Sequence, residues 1–106
     1  MTRIRLLGSP GNLKGFEVSG HAGAGTEGND LVCAAISFLA TTAVNALETV
    51  AGTKPQVRQK EGYLSALLAS GQANQAAGTI LAVFRQGAQD LAEAYPKHVQ
   101  LIDETI

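Results

Sequence analysis

The sequence predicts an α+β fold, a small sandwich with a mostly antiparallel sheet and two main helices in the order β-β-α-β-β-α-β. Short segments in which polar and apolar residues alternate occur in pairs. Each pair is followed by one long segment whose apolar residues recur every three or four positions. Hairpins separated by single helices are typical of α+β folds, and 106 residues suit a single domain over 1–106.

The first hairpin is predicted from two alternating segments near the start of the chain. They are Arg3–Leu6 and Phe16–Ser19, and the residues at 8–12 between them are mostly turn formers. A glycine-rich segment follows at 20–29, and it is predicted to be a mobile loop.

The first helix is predicted to begin after Asp30, a suitable N-cap residue, and to end at Gly52. Its buried side is predicted from the apolar residues at helical spacing: Val32, Ile36, Leu39, Ala43, Leu47 and Val50. The remaining elements are predicted as strands at 56–60 and 63–69, a second helix at 73–95 and a last strand at 98–103. The second helix has its own apolar side: Ala77, Ile80, Leu81, Phe84, Ala88, Leu91 and Tyr95.

Charge and composition argue against several classes of function. With 8 basic and 9 acidic side chains and no basic cluster, direct contact with nucleic acid is not expected. Polar residues interrupt the apolar segment 31–51, so no membrane span is predicted, and no signal-peptide pattern is found. The 2 histidines and 1 cysteine are too few for a zinc site, and no cofactor motif is found. A cytoplasmic protein without metal or cofactor, whose cysteine stays reduced, is therefore expected.

Cys33 and His21 are the residues that suggest chemistry. Cys33 falls at about the third position of the predicted helix, where backbone N–H groups and the helix dipole stabilise a negative charge. The thiolate is the reactive form of cysteine, although a lone cysteine among small apolar residues is often an inert core residue. His21 ends the second predicted strand and can act as a base, but a loop histidine often has no role. The spacing alone does not bring the two side chains into contact.

Asp30 and Ser37 are possible supporting residues, and each has two interpretations. Asp30 either caps the first helix or orients His21 as a third catalytic residue. Ser37 lies one turn after Cys33, and it either forms a hydrogen bond near the site or belongs to a solvated helix face. The sequence leaves both questions open.

The segments at 19–23 and 28–37 resemble the signature of the ribosomal-processing cysteine protease family, known as Prp. The family pattern is Gly-His-Ala, a glycine-rich loop, and then Asp-hydrophobic-Val-Cys-Ala followed by a serine. The chain carries it as Gly20-His21-Ala22, the loop, Asp30 to Ala34, and Ser37. The pairs at 62–63 and 95–96 are also similar to the family.

The resemblance implies a cysteine endopeptidase that removes an N-terminal extension from the large-subunit ribosomal protein numbered twenty-seven. It implies that Cys33 and His21 form a catalytic dyad, and that the loop with Gly23, Gly25 and Gly28 orders over the substrate. It also implies a small α/β sandwich that forms a homodimer, and an apolar pocket for the substrate. At the position of Ala24, family members often have an aromatic or other larger residue, and this difference puts the substrate preference of the chain in doubt.

Two other functions are compatible with the residues. The first is a non-enzymatic, ribosome-associated protein-binding module with an incidental thiol. The second is a redox enzyme or sensor, which would need a resolving cysteine that this chain lacks unless a second copy supplies it. Phe38 adds a separate prediction: it points into the polar side of the first helix, so a second protomer, the substrate or a neighbouring strand is expected to cover it.

Overall fold

The structure, a computed structural model, describes residues 1–20 and 27–106, with the backbone only for 27–30. The elements are β1 (Thr2–Ser9), β2 (Asn12–Ser19), α1 (Glu27–Thr49), β3 (Gln56–Lys60), β4 (Tyr63–Leu67), α2 (Gln75–Ala94) and β5 (Val99–Glu104). The predicted order and the α+β class are confirmed. The strands form one five-stranded sheet in the order β3-β4-β2-β1-β5. Only β5 pairs in parallel, with β1, and the other pairings are antiparallel, so the sheet is mixed but mostly antiparallel as predicted.

Both helices pack on the same face of the sheet, and the core lies between the two layers. Along β1 the side chains of Ile4 and Leu6 are fully buried, as the period of a strand requires. Phe16 of β2 stacks on Phe84 of α2, with ring centroids 4.0 Å apart. The two helices touch where Gly87 of α2 leaves room for the Leu39 side chain of α1.

The predicted apolar side of α1 is confirmed except at its end. Val32, Ile36, Ala43 and Leu47 are buried, and Leu39 packs against the core. Val50 was predicted to be buried, but its side chain is 69% exposed. The prediction fails there because α1 ends at Thr49, so Val50 no longer follows the helical periodicity.

The start of α1 differs from the prediction. The helix begins at Glu27, so Asp30 lies inside its first turn and is not the N-cap, and Gly28 belongs to the helix rather than to a loop. Thr26, Asn29 and Asp30 are all residue types that cap helices, so the sequence does not single out one start. Acidic residues are favoured in a first turn by the helix dipole, and position 27 also carries one.

The end of α1 follows its predicted signal, whereas no capping residue was predicted for the start of α2. Gly52 has φ +69° after α1, a conformation that glycine adopts without strain. The next residue, Thr53, donates from its N–H and its hydroxyl to the carbonyl of Leu47. At the start of α2, the Asn74 side chain accepts a hydrogen bond of 2.8 Å from the Ala77 N–H.

The segment Leu31–Thr49 of α1 is long and apolar enough to cross a membrane, with a mean hydropathy of 1.6. Length and composition are the only support for that interpretation. In this segment buried and exposed positions alternate at the helical period, as in a helix that packs one side against a protein core. Val32, Ile36 and Leu47 belong to that core.

Candidate active site

A cavity of about 280 Å³ lies between α1 and the helix-facing side of the sheet. The wall formed by α1 consists of Cys33, Ile36, Ser37, Ala40 and Thr41. The wall formed by the sheet includes Thr2, Val18, Gly20 and Leu64, and the rim on the β3–β4 hairpin includes Gln59 and Lys60. Val18 pairs with both Ile4 and Leu64 across the sheet, so these side chains share the helix-facing side. The cavity therefore has an apolar floor and a polar rim.

Cys33 is half-buried and lines this cavity. Cys33, Ser37 and Thr41 lie at four-residue steps, so they share one side of α1 and all three reach the cavity. Cys33 lies at the boundary between the buried side of α1 and its exposed side. The sulfur is thus not sealed inside the core.

The depth of Cys33 within α1 differs from the prediction. Cys33 follows Glu27 by six positions, so it lies in the second turn and is not the third residue of the helix. N–H groups in the second turn donate to carbonyl groups of the first turn, and the dipole effect falls off beyond the first turn. Backbone N–H groups around Cys33 are therefore engaged within α1 and do not offer an oxyanion hole.

His21 lies outside the described residues, as do Gly23, Gly25 and the departure at Ala24. The distance between His21 and Cys33 stays a prediction. Asp30 is within α1, but only its backbone is described, so its supporting role is also untested. Ser37 is exposed and faces the cavity, which keeps it available to bind at the site.

Gly20 is a functional candidate to which the sequence assigned no role beyond its place in the glycine-rich segment and in the family signature. It directly precedes His21 and lines the same cavity as Cys33. Its N–H donates to the carbonyl of Gly62 at 3.0 Å. Its φ is +89°, and a Cβ atom there would lie 2.6 Å from the Met1 carbonyl oxygen. The backbone that leads into His21 is thus fixed against β1 and the β3–β4 turn.

A chain of polar contacts supports the β4 side of the site from the opposite face of the sheet. The Tyr63 hydroxyl donates to Glu17 Oε2 at 2.8 Å, and Arg5 pairs with Glu17 Oε1 at 2.9 Å. The Lys60 ammonium lies 5.5 Å from the centre of the Tyr63 ring, within range of a cation–π interaction. These contacts link β1, β2 and β4 and hold the end of the hairpin that forms the cavity rim.

Within residues 1–20 and 27–106, no cluster of three or more His, Cys, Asp or Glu side chains is placed to hold a metal ion. His98, which directly precedes β5, is half-buried, and its carbonyl accepts a hydrogen bond of 2.8 Å from the Thr2 N–H. The candidate chemistry of the described part therefore rests on the thiol of Cys33.

The chain is similar to known proteins over nearly its whole length. The family described as cysteine protease Prp matches residues 1–100. The structure of SMU.848 from Streptococcus mutans is similar, with 32% identity, a TM-score of 0.86, and coverage of 100% of this chain and 96% of that one. No curated protein sequence matches the chain.

Two structures of a more distant protein share the fold. They show the essential ribosomal processing protease Prp from S. aureus, with a covalently linked product peptide in one and a substrate peptide in the other. Identities are 22% and 21%, the TM-score is 0.86 for both, and each comparison covers 98% of this chain and 100% of that one. The match over residues 1–100 confirms the resemblance seen at 19–37, and the chain belongs to the cysteine protease Prp family.

Proposed function

We propose that the chain is a cytoplasmic cysteine endopeptidase that removes the N-terminal extension of a large-subunit ribosomal protein, with Cys33 and His21 as a catalytic dyad. The observation that carries the proposal is the place of Cys33: a half-buried thiol in the wall of a cavity of about 280 Å³. Gly20, the residue before His21, lines the opposite wall. The ribosomal substrate is supported by the S. aureus relative, which is a ribosomal processing protease.

The proposed reaction has two steps. The Cys33 thiolate attacks the scissile carbonyl carbon, a C–S bond forms, and the C–N bond breaks as His21 gives a proton to the leaving amine. The first product leaves, and a thioester remains on Cys33. His21 then removes a proton from water, the hydroxide adds to the thioester, and the C–S bond breaks to release the carboxylate product and restore the thiol.

The described residues support this reaction by positioning. The apolar floor formed by Val18, Ile36 and Leu64 can bury one substrate side chain next to the sulfur. Ser37 and Thr41 present hydroxyl groups along the same wall and can bind the substrate backbone. Since the N–H groups of the second turn are engaged within α1, other donors must stabilise the oxyanion. Among the described side chains that can donate a hydrogen bond, Ser37 is the closest to Cys33 in sequence.

A cleavage assay on the ribosomal protein of the same organism tests the proposal. Cys33→Ala and His21→Ala are each expected to abolish turnover, whereas His98→Ala, the matched control at the other histidine, is expected to retain it. Mass spectrometry of Cys33→Ser or of a rapidly quenched wild-type reaction is expected to show an acyl adduct on residue 33. Turnover that survives at Cys33→Ala or His21→Ala would rule out the dyad.

The two alternative functions predict a different outcome. A binding module with an incidental thiol would bind the ribosomal protein without cutting it, and a redox sensor would form a disulfide between two copies through Cys33. Membership of a cysteine protease family argues against the first. The second needs a resolving cysteine, and because the chain has a single cysteine, only a second copy could supply it.

We also propose that the chain forms a homodimer through the exposed side of α1. Phe38 is 74% exposed and Leu31 is 64% exposed. The two residues are seven positions apart, so they lie on one line along the helix. None of the strands in residues 1–20 and 27–106 covers Phe38. A second protomer or the substrate is therefore the cover that we propose.

A further inference from the structure

Thr2 is a buried polar residue whose hydroxyl has no partner among the described residues. Two polar residues in the described part are buried, Thr2 at 3% and Thr53 at 6% exposure. The Thr53 hydroxyl donates to the Leu47 carbonyl at 2.7 Å. The N–H of Thr2 donates to the His98 carbonyl, but its hydroxyl makes no hydrogen bond within the described part of the chain. A valine would fill the same space without this loss of hydration.

The location of Thr2 suggests what its hydroxyl binds. Thr2 begins β1 and, by the alternation of the strand, points to the same side of the sheet as Ile4 and Leu6. It lines the cavity that Cys33 lines. A buried hydroxyl in a catalytic cavity that has an apolar floor is an arrangement that selects ligands, because a ligand without a matching polar group leaves the hydroxyl unsatisfied.

We propose that Thr2 is a specificity-determining residue whose hydroxyl binds the polar end of a substrate side chain beside Cys33. Side chains with an apolar body and a hydrogen-bonding end, which are those of glutamine, asparagine and tyrosine, are then preferred over methionine, leucine and phenylalanine. Val18, Ile36 and Leu64 contact the apolar body, and the volume of about 280 Å³ suits one side chain. The inference rests on the proposed protease function and adds a substrate preference to it.

The test compares wild type, Thr2→Val and Thr2→Ser on a proteome-derived peptide library, with Cys33→Ala as the background and mass spectrometry to identify the cleaved bonds. At one position near the cleaved bond, wild type is expected to prefer glutamine over methionine, asparagine over leucine, and tyrosine over phenylalanine. Thr2→Val is expected to lower that preference about three- to tenfold, the usual effect of losing one neutral hydrogen bond. Thr2→Ser, which keeps the hydroxyl, is expected to restore it.

Stability provides a second readout that does not depend on turnover. Thr2→Val is expected to unfold at the same denaturant concentration as wild type or at a higher one, since it removes a buried hydroxyl without a partner. A clear loss of stability would mean that the hydroxyl is bonded within the protein itself and would overturn the inference.

The outcomes of the library separate this inference from the proposed function. If wild type and Thr2→Val cleave with the same preference, Thr2 does not determine specificity, and the protease function still stands. If wild type shows no cleavage above Cys33→Ala, the protease function fails, and the substrate preference fails with it.

Discussion

The substitution Gly20→Ala should impair catalysis although it changes neither Cys33 nor His21. Gly20 has φ +89°, and an added Cβ atom would lie 2.6 Å from the Met1 carbonyl oxygen. The left-handed conformation alone costs an alanine about 1–2 kcal/mol. Relieving a backbone contact that is this short adds about 1–3 kcal/mol, as overpacking does. The start of β1 or the end of β2 must move, and the end of β2 leads directly into His21.

The matched control for this change is Gly71→Ala. Gly71 has φ +85°, and a Cβ atom there would meet nothing within 4 Å. It therefore has the same conformational cost without the steric one, in a loop that does not line the cavity. Gly71→Ala is expected to lose only about 1–2 kcal/mol of unfolding free energy and to keep its kcat/KM.

Urea unfolding and peptide turnover distinguish the two variants. Gly20→Ala is expected to lose more unfolding free energy than Gly71→Ala, by about 1–3 kcal/mol. Its kcat/KM is expected to fall by up to about 100-fold, the usual effect of moving a catalytic group by about 1 Å. If both variants match in stability and Gly20→Ala keeps full activity, the reasoning that Gly20 positions His21 is refuted.

Three further predictions concern the dimer, an ion pair and the core. Phe38→Asp is expected to shift the sedimentation coefficient from dimer to monomer, and a dimer that persists in this variant would exclude the α1 contact. Hydrogen bonds from Arg85 lower the pKa of the Asp103 carboxyl. This partly exposed pair therefore contributes about 0.2–1 kcal/mol to the free energy of unfolding. The contribution is present above the ordinary pKa of aspartate and is lost as the pH falls through the lowered pKa of Asp103. Asp103→Asn should thus destabilise the protein in urea near neutral pH and not near pH ~2, and an equal loss at both would contradict the assignment. Phe84→Ala removes a ring that is 1% exposed and stacks on Phe16, and it should cost about 3–5 kcal/mol of unfolding free energy, whereas Val83→Ala, at a neighbouring position that is 63% exposed, should cost much less.

The strands were predictable because their signal is local. The alternation at Arg3–Leu6 belongs to β1, and the turn formers at 8–12 lie where β1 and β2 pair in a hairpin. The segment predicted at 56–60 is β3. A two-residue period and a tight turn depend only on neighbouring residues, so they can be identified without knowing the fold.

The start of α1 was not predictable from local signals. Several residues before Cys33 are suited to cap a helix, and the choice among them depends on how the chain leaves β2. As a result, the sequence placed Cys33 in the first turn, whereas the structure places it in the second. Val50 was assigned to the buried side for a similar reason, since periodicity does not show where the helix ends.

The residues of the sequence determined the fold class, the order of the elements, and the pair of residue types that can perform thiol chemistry. Those features follow from periodicity and from the chemistry of single side chains. Tertiary packing decided that Cys33 shares a cavity with Thr2 and Gly20, and that Met1 and Gly62 fix the backbone before His21. These contacts join residues far apart in the chain, and their geometry depends on how α1 packs across the sheet, which no local pattern encodes.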